Sequence, residues 1–395
     1  MSREIRDLES LLRINFGDDL TLVNYSVDNL VPSGENFRSC VLRLSAQVQR
    51  TKDSPGEDLE FVVKTAPTTV VLEITKGVDW IRLFRKEIFM YTSVIPFYRR
   101  VELDSGFPED DSIEECFPKF FGSCGSLSSD AVILLENLKL RNYYVVDKRI
   151  GMDLAHASKA LKALARFHAV GVAAKLNYPI RFDSIRSTYR KPDYDYRAVD
   201  AACVRFIEII RNDPRLDRYT SRVERIVSWR KGHWKSELVT HDLWSSVVHF
   251  DFWTNNVLFH KDDEGSVDDA KFIDFQTYCF ADIFLDLVYF IFTSLDDHVK
   301  SNDLDRVLDL YYVNFILTLE RLSIDVEEYS RRKFDDGLKQ VAEYEFFHCA
   351  LVLNIVTADV DSASPMSFEA GISDLYSRKI AQLLQTYEAR NWFTT

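Results

Sequence analysis

The sequence predicts an α+β fold of two lobes, a small β-rich N-lobe with one main helix and a larger, mainly helical C-lobe. Three observations carry that expectation. The 395 residues are more than one hydrophobic core usually organises. The first third of the chain consists of short runs rich in Val, Leu and Thr, divided by polar turns. From about residue 152 the apolar residues change to the three- and four-residue spacing of amphipathic helices. We place the division at residues 1–138 and 139–395, with a hinge closing the first lobe.

The opening MSREIRDLESLLRINF reads as an amphipathic helix. Acids and bases interrupt its apolar positions, so it offers no secretory signal core and a cytoplasmic protein is expected. LTLVNYSV, RSCVLRLSAQVQ and LEFVVKTAP read as antiparallel strands separated by the turn segments PSGENF and KDSPGED. WIRLFRKEIFMYTSVIPFYRR has helical spacing and is expected to stop at Pro96, which cannot donate within a helix. An acidic loop, LDSGFPEDDSIEE, then leads to strands around FPKFFGS and DAVILLENL. MDLAHASKALKALARFHAVGVAAKL opens the helical lobe, and DAACVRFIEIIRND, DRVLDLYYVNFILTLERL, FDDGLKQVAEYEFFHCALVLNIV and DLYSRKIAQLLQTYEA continue it. Between them VVHFDF, NNVLFH and KFIDF read as short strands divided by KDDEGSVDD.

Composition excludes several classes of function. A net charge of -13 and a pI near 5.2 repel a polyphosphate chain, so nucleic acid is not expected as a partner. A small anion would have to be held by local cations, by backbone N–H groups or through a metal on acidic ligands. Cys40, Cys116, Cys124, Cys203, Cys279 and Cys349 show no CxxC pairing and read as reduced structural thiols. The most apolar stretch, FADIFLDLVYFIFTSL, is short and carries Asp282 and Asp286, so no membrane span is expected.

Two phrases, HDLW at 241–244 and HFDFW at 249–253, each place a histidine, an aspartate and a tryptophan together. Phosphoryl transfer from a nucleotide needs a carboxylate beside the attacking hydroxyl, oxygen ligands for Mg2+, and a lysine on the phosphates held by a glutamate. In kinase catalytic loops an asparagine follows the catalytic aspartate by five positions. Five positions after Asp242 stands Val247, which cannot bind a metal; five after Asp251 stands Asn256, which can. Asp274 then heads DFQ after a strand pair, where a second metal ligand belongs. Taken singly, such tripeptides arise as surface turns or capping aspartates; the ordered set is what selects Asp251. Upstream, Lys64 ends an apolar strand and Glu87 lies on the N-lobe helix, as a phosphate-contacting lysine and its partner would. In PSGENFRS only Gly34 stands where protein kinases have several glycines, so a phosphate cradle there depends on Gly34, the backbone of Asn36 to Arg38, and Ser39.

HFDFWTNN followed by FIDFQ, with SGENFRS, VVKTAP, ENL and ALARFHA upstream, resembles the ecdysteroid kinase-like family. That family stands with the choline kinases and aminoglycoside phosphotransferases among protein-kinase-like folds. The resemblance runs from about residue 20 to 385 and implies ATP-dependent phosphorylation of a small-molecule hydroxyl, with ATP and Mg2+ as cofactors and no obligate protein partner. It implies Asp251 as catalytic base, Asn256 and Asp274 as metal ligands, Lys64 on the phosphates and Glu87 as its ion-pair partner. His249 would brace the catalytic loop. Leu135 to Leu138 would form the hinge that meets adenine through backbone groups, marked by Glu136, Asn137 and Leu138. Asp286 either bonds the catalytic loop or simply opens a helix.

This chain departs from the family at Phe250, which replaces a usual glycine and narrows the acceptor site if its ring points there. After Gln276 no A-P-E segment follows, so no protein-substrate platform is indicated. Phe250, Phe252 and Trp253, with Trp244 upstream, suggest an apolar, hydroxylated acceptor such as an ecdysteroid, although buried aromatics are more often core. An amino-alcohol or aminoglycoside acceptor on the same fold, and a pseudokinase working through a partner, stay open as alternatives.

Overall fold

The computed structural model of the chain describes residues 5, 7–30, 40–65, 79–124, 131–188, 196–232, 242–358 and 372–393. Its packing forms two compact units, Met1–Phe97 with Glu114–Tyr143 and Ile273–Gln276, and Tyr98–Ile113 with Tyr144–Phe272 and Thr277–Thr395.

The first unit is a five-stranded antiparallel sheet with helices. Helix α1 (Leu8–Phe16) precedes β1 (Thr21–Asn29), β2 (Cys40–Gln49) and β3 (Gly56–Thr65), and β4 (Phe120–Cys124) and β5 (Val132–Glu136) follow later in the chain. The strand order is β1-β2-β3-β5-β4. One sheet face buries Leu44, Val48, Phe61, Val63 and Leu134 against Leu8 and Leu12 of α1. Alternation along β3 then sends Lys64 to the opposite face, because adjacent side chains point to opposite sides of a strand. Gly122, with φ at 131°, sits at a register shift in β4 where a Cβ would approach Leu11 to 2.8 Å.

Helix α2 (Trp80–Phe89) passes through a π-turn at Met90–Val94 into α3 (Ile95–Asp104), so the helix does not stop at Pro96. The Ile95 N–H donates to the Met90 carbonyl, five residues back. That widened turn lets a chain with no N–H at Pro96 continue as helix, where a tight i→i−4 ladder would clash with the ring. The compact units divide within α3, and the acidic loop after it belongs with the second unit. There Arg166 Nε donates to Glu102 Oε1 at 2.7 Å and its NH1 to Asp111 Oδ1 at 2.8 Å, while Arg321 reaches Asp111 Oδ2 at 2.8 Å. The buried Glu102 of α3 and the half-exposed Asp111 of the acidic loop thus share one arginine.

In the second unit, α4 (Leu154–Asn177), α5 (Pro179–Arg186), α6 (Tyr196–Asn212) and α7 (Thr220–Gly232) precede four short strands, β6 (Ser245–Val248), β7 (Val257–Lys261), β8 (Val267–Phe272) and β9 (Cys279–Asp282). These pair as β6 with β9 and β7 with β8. Helices α8 (Phe284–Ser294), α9 (Asp297–Asn302), α10 (Leu304–Arg321), α11 (Arg331–Thr357) and α12 (Asp374–Ala389) complete the unit. All of α8 is buried, which accounts for its uninterrupted apolar sequence. No helix among the described residues is long and apolar enough to cross a membrane. Helix α4 passes close to β6 at Gly171, where an added Cβ would lie 2.1 Å from Ser246 Oγ and 2.4 Å from the Tyr98 hydroxyl. This contact, together with the Ser246 hydroxyl donating to the His168 carbonyl at 2.9 Å, fixes the strand that runs into residues 249–256.

Candidate active site

In the first unit Lys64, Glu87, Asp274 and Gln276 come together. Lys64 Nζ lies 2.7 Å from Glu87 Oε2 and 2.7 Å from Asp274 Oδ1. The lysine and the glutamate side chains are 6% and 0% exposed, so neither is a surface charge. Burial alone would lower the Lys64 pKa, but the Asp274 and Glu87 carboxylates outweigh it and raise it, keeping the ammonium charged. Burial raises the Glu87 carboxyl, a rise opposed by the Lys64 charge and by a hydrogen bond from Gln276. Asp274 sits at φ 66°, and Phe275 packs edge-on against Tyr91 and Phe117 with ring centroids 6.2 and 5.4 Å away. Those ring contacts anchor the turn that presents the aspartate.

Residues Glu136 to Leu138 are held by hydrogen bonds to nearby chain. Glu136 accepts from the Lys119 N–H at 3.1 Å and from Arg141 at 3.1 Å, and its own N–H donates to the Lys119 carbonyl at 2.9 Å. Asn137 is buried; its Oδ1 accepts from the Lys139 N–H at 3.3 Å and its Nδ2 donates to Glu60 at 3.3 Å. Leu138 is buried and opens the 3-10 turn Leu138–Arg141. Both polar side chains therefore shape the turn itself. Gly34, Asn36 and Ser39 lie outside the described residues.

In the second unit the stretch from His249 to Asn256 forms a clamped loop. Asp286 accepts from the His249 N–H at 2.6 Å on Oδ2 and from the Phe250 N–H at 2.7 Å on Oδ1. Of the two readings open for Asp286, bonding this loop is the one realised. His168 Nε2 lies 3.1 Å from the same carboxylate, and its Nδ1 lies 2.6 Å from the Tyr311 hydroxyl. The clamp is needed because Phe250 has φ 65°, a left-handed conformation costly for a bulky side chain, of order 1 to 3 kcal/mol. It also explains why glycine suits this position.

Asn256 Nδ2 donates to the Asp251 carbonyl at 2.8 Å and lies 3.3 Å from its Oδ2. The amide nitrogen is thereby committed, and its oxygen is the group Asn256 presents. Asp251 Oδ1 accepts from the Tyr289 hydroxyl at 2.8 Å. His249 is fully buried, with its ring 5.7 Å from that of Phe252. Asp242, in the other phrase, has a side chain that is 99% exposed beside Lys175.

The four aromatics of this region divide. Trp244 packs among Phe284, Phe315, Tyr329 and Phe334, and Phe252 among Phe272 and Phe290, so both are core. They cannot form the wall of a binding site, and the sequence expectation is corrected for these two. Phe250 and Trp253 are half-buried. His168, Tyr289, Tyr311 and His348 join the site without having been singled out from sequence. The signal for His168 was available in ALARFHA, a histidine on the apolar face of a long helix; Tyr289 lay hidden in an apolar run that reads as core.

The sequence profile of the ecdysteroid kinase-like family matches residues 33–324, well over half of the chain. The chain belongs to the ecdysteroid kinase-like family. By that membership it is a small-molecule kinase, a phosphotransferase acting on hydroxyl groups. No curated protein sequence matches it. Among solved structures, an ethanolamine kinase of Plasmodium vivax is 11% identical, with 97% of this chain and 87% of that one covered at a TM-score of 0.40. An AMP-bound spectinomycin phosphotransferase is 15% identical, with 99% and 97% covered and a TM-score of 0.42. An amicoumacin kinase in complex with AMP-PNP, Ca2+ and Ami is 10% identical, with 95% and 88% covered and a TM-score of 0.41. Superpositions this loose carry no residue across.

Proposed function

We propose that this family member transfers the γ-phosphoryl group of ATP, with Mg2+, to a hydroxyl of an ecdysteroid-like or other hydroxylated lipophilic metabolite, with Asp251 as general base. The observation that carries this reading is the clamped loop. Asp286 fixes the two amides before Asp251, and Asn256 fixes its carbonyl. A base must be held within hydrogen-bond reach of the proton it takes, and a loop fixed on both sides of the residue supplies that constraint. Lys64, kept charged and paired with Glu87, is suited to bind phosphate oxygens. The backbone of Glu136 to Leu138 would meet adenine, and Gly34, Asn36 and Ser39 would cradle the phosphates.

Asn256 and Asp274 offer oxygen donors only, a hard set that suits Mg2+. Asn256 and Asp274 would hold the ion, whose positive charge, when bound, would offset the negative charge that develops on the transferring phosphoryl group. Asp251 itself would take the acceptor hydroxyl proton, while His249 and Asp286 keep the loop in register.

A lipophilic acceptor is favoured over a cationic one by the side chains beside Asp251. Phe250 and His348 lie there with ring centroids 5.8 Å apart, and the acid of that cluster, Glu345, is buried and already bonded to His348 at 2.8 Å. A quaternary ammonium would ask for an available acid or an open aromatic cage. The deciding assay measures ADP release from Mg-ATP with hydroxylated sterols and with amino alcohols, each at low and high ionic strength. We expect turnover of the sterols with little salt effect on KM. Turnover confined to amino alcohols, with a strongly salt-sensitive KM, would refute the acceptor assignment and leave the kinase chemistry intact.

A further inference from the structure

We propose that Tyr289 is a positioning residue for Asp251, held in place by the His348–Glu345 pair of α11. The inference rests on the reading of Asp251 as the base. Tyr289 lies on α8, which is buried throughout, and its hydroxyl meets Asp251 Oδ1 at 2.8 Å. A phenol donor on one carboxylate oxygen, with the Asn256 amide 3.3 Å from the other, restrains rotation of the group and so fixes the direction in which it meets the acceptor proton. The acceptor O–H bond breaks as its proton passes to the Asp251 carboxylate and its oxygen bonds to the γ-phosphorus of ATP, while the bond from that phosphorus to the β,γ-bridging oxygen breaks and ADP leaves.

The phenol ring is fixed in turn by His348. Their rings stack with centroids 4.8 Å apart at an interplanar angle of 24°, and His348 Nδ1 lies 2.8 Å from Glu345 Oε2, one turn earlier on the same helix. A buried carboxylate on Nδ1 selects the imidazole tautomer and the plane of the ring. Elements distant in sequence, 251, 289 and 345–348, so converge on one carboxylate. Core packing alone would not require a tyrosine hydroxyl at this point, since phenylalanine would fill the same space.

The experiment compares Tyr289→Phe, His348→Ala and the double variant in steady-state ADP release. The acceptor is whichever compound of the panel above the wild type turns over fastest, or water where none is turned over. Tyr289→Phe removes one oxygen from a packed ring, so its melting temperature should stay near that of the wild type. We expect its kcat to fall by about 10- to 100-fold with KM for ATP within about twofold, because only orientation of the base is lost. His348→Ala should lose less, His348→Phe should restore the stack and most of the rate, and the double variant should be no slower than Tyr289→Phe. An unchanged kcat in Tyr289→Phe, or losses that multiply in the double variant, would overturn the inference. Asp251→Asn is run beside them. If it retains full activity, or if the wild type releases no ADP at all, the base assignment falls and takes this inference with it; if it is inactive while Tyr289→Phe is fully active, positioning alone is wrong.

Discussion

Asp286 makes the loop possible at the scale of single residues. One buried carboxylate accepts from two consecutive amides and from a buried histidine, and it holds Phe250 in a backbone region that its ring disfavours. Removing it as Asp286→Ala would leave three buried donors without an acceptor. We expect a loss of about 3 to 5 kcal/mol in denaturant unfolding, together with loss of turnover. Asp286→Asn, which keeps an acceptor oxygen, should lose less; equal stability of wild type and Asp286→Ala would contradict the clamp. The sequence made Asp251 and Asn256 legible because their spacing is fixed by chemistry. Spacing says nothing about Tyr289 or His348, whose places depend on how helices far apart in the chain pack.

Among the elements, the strands other than β9 were legible from alternation and turn residues, and most helices from apolar spacing; β9 (Cys279–Asp282) is too short and too close to the apolar run of α8 to stand out. Pro96 misled, because proline rules describe the α ladder and a π-turn at Met90–Val94 relieves the clash. The sequence marks an acidic loop after α3 but not its partner: Arg166, on a helix far along the chain, draws Glu102 of α3 and Asp111 of the loop into an ion pair network. Burial raises the Glu102 carboxyl and the Arg166 hydrogen bond opposes that rise, so the guanidinium is what makes a charge tolerable there. Arg166→Ala should therefore cost about 3 to 5 kcal/mol, read by chemical denaturation, because it strands a buried acid. Arg166→Ala with Glu102→Gln should recover part of the loss. A single variant as stable as the wild type would show that the network contributes only geometry.

Over the whole molecule, the expectation of a β-rich lobe followed by a helical lobe agrees with the two compact units in content. The units themselves also exchange segments that sequence order conceals, Tyr98–Ile113 joining the second and Ile273–Gln276 the first. The second exchange brings Asp274 to Lys64. If Asp274 is a metal ligand as proposed, ATP should raise the melting temperature only with Mg2+ present, and Asp274→Ala should abolish most of that shift. An equal shift with chelator, or in the variant, would place the nucleotide elsewhere.

The central claim is that HFDFW, and not HDLW, carries the base. Its most direct test is turnover of Asp251→Asn beside Asp242→Asn, with Mg-ATP binding measured for both. We expect Asp251→Asn to bind Mg-ATP nearly as the wild type does while losing about 10²- to 10⁴-fold in rate. Asp242→Asn, at a 99% exposed side chain, should leave the rate unchanged. Full activity in Asp251→Asn, or a comparable loss in Asp242→Asn, would contradict the assignment.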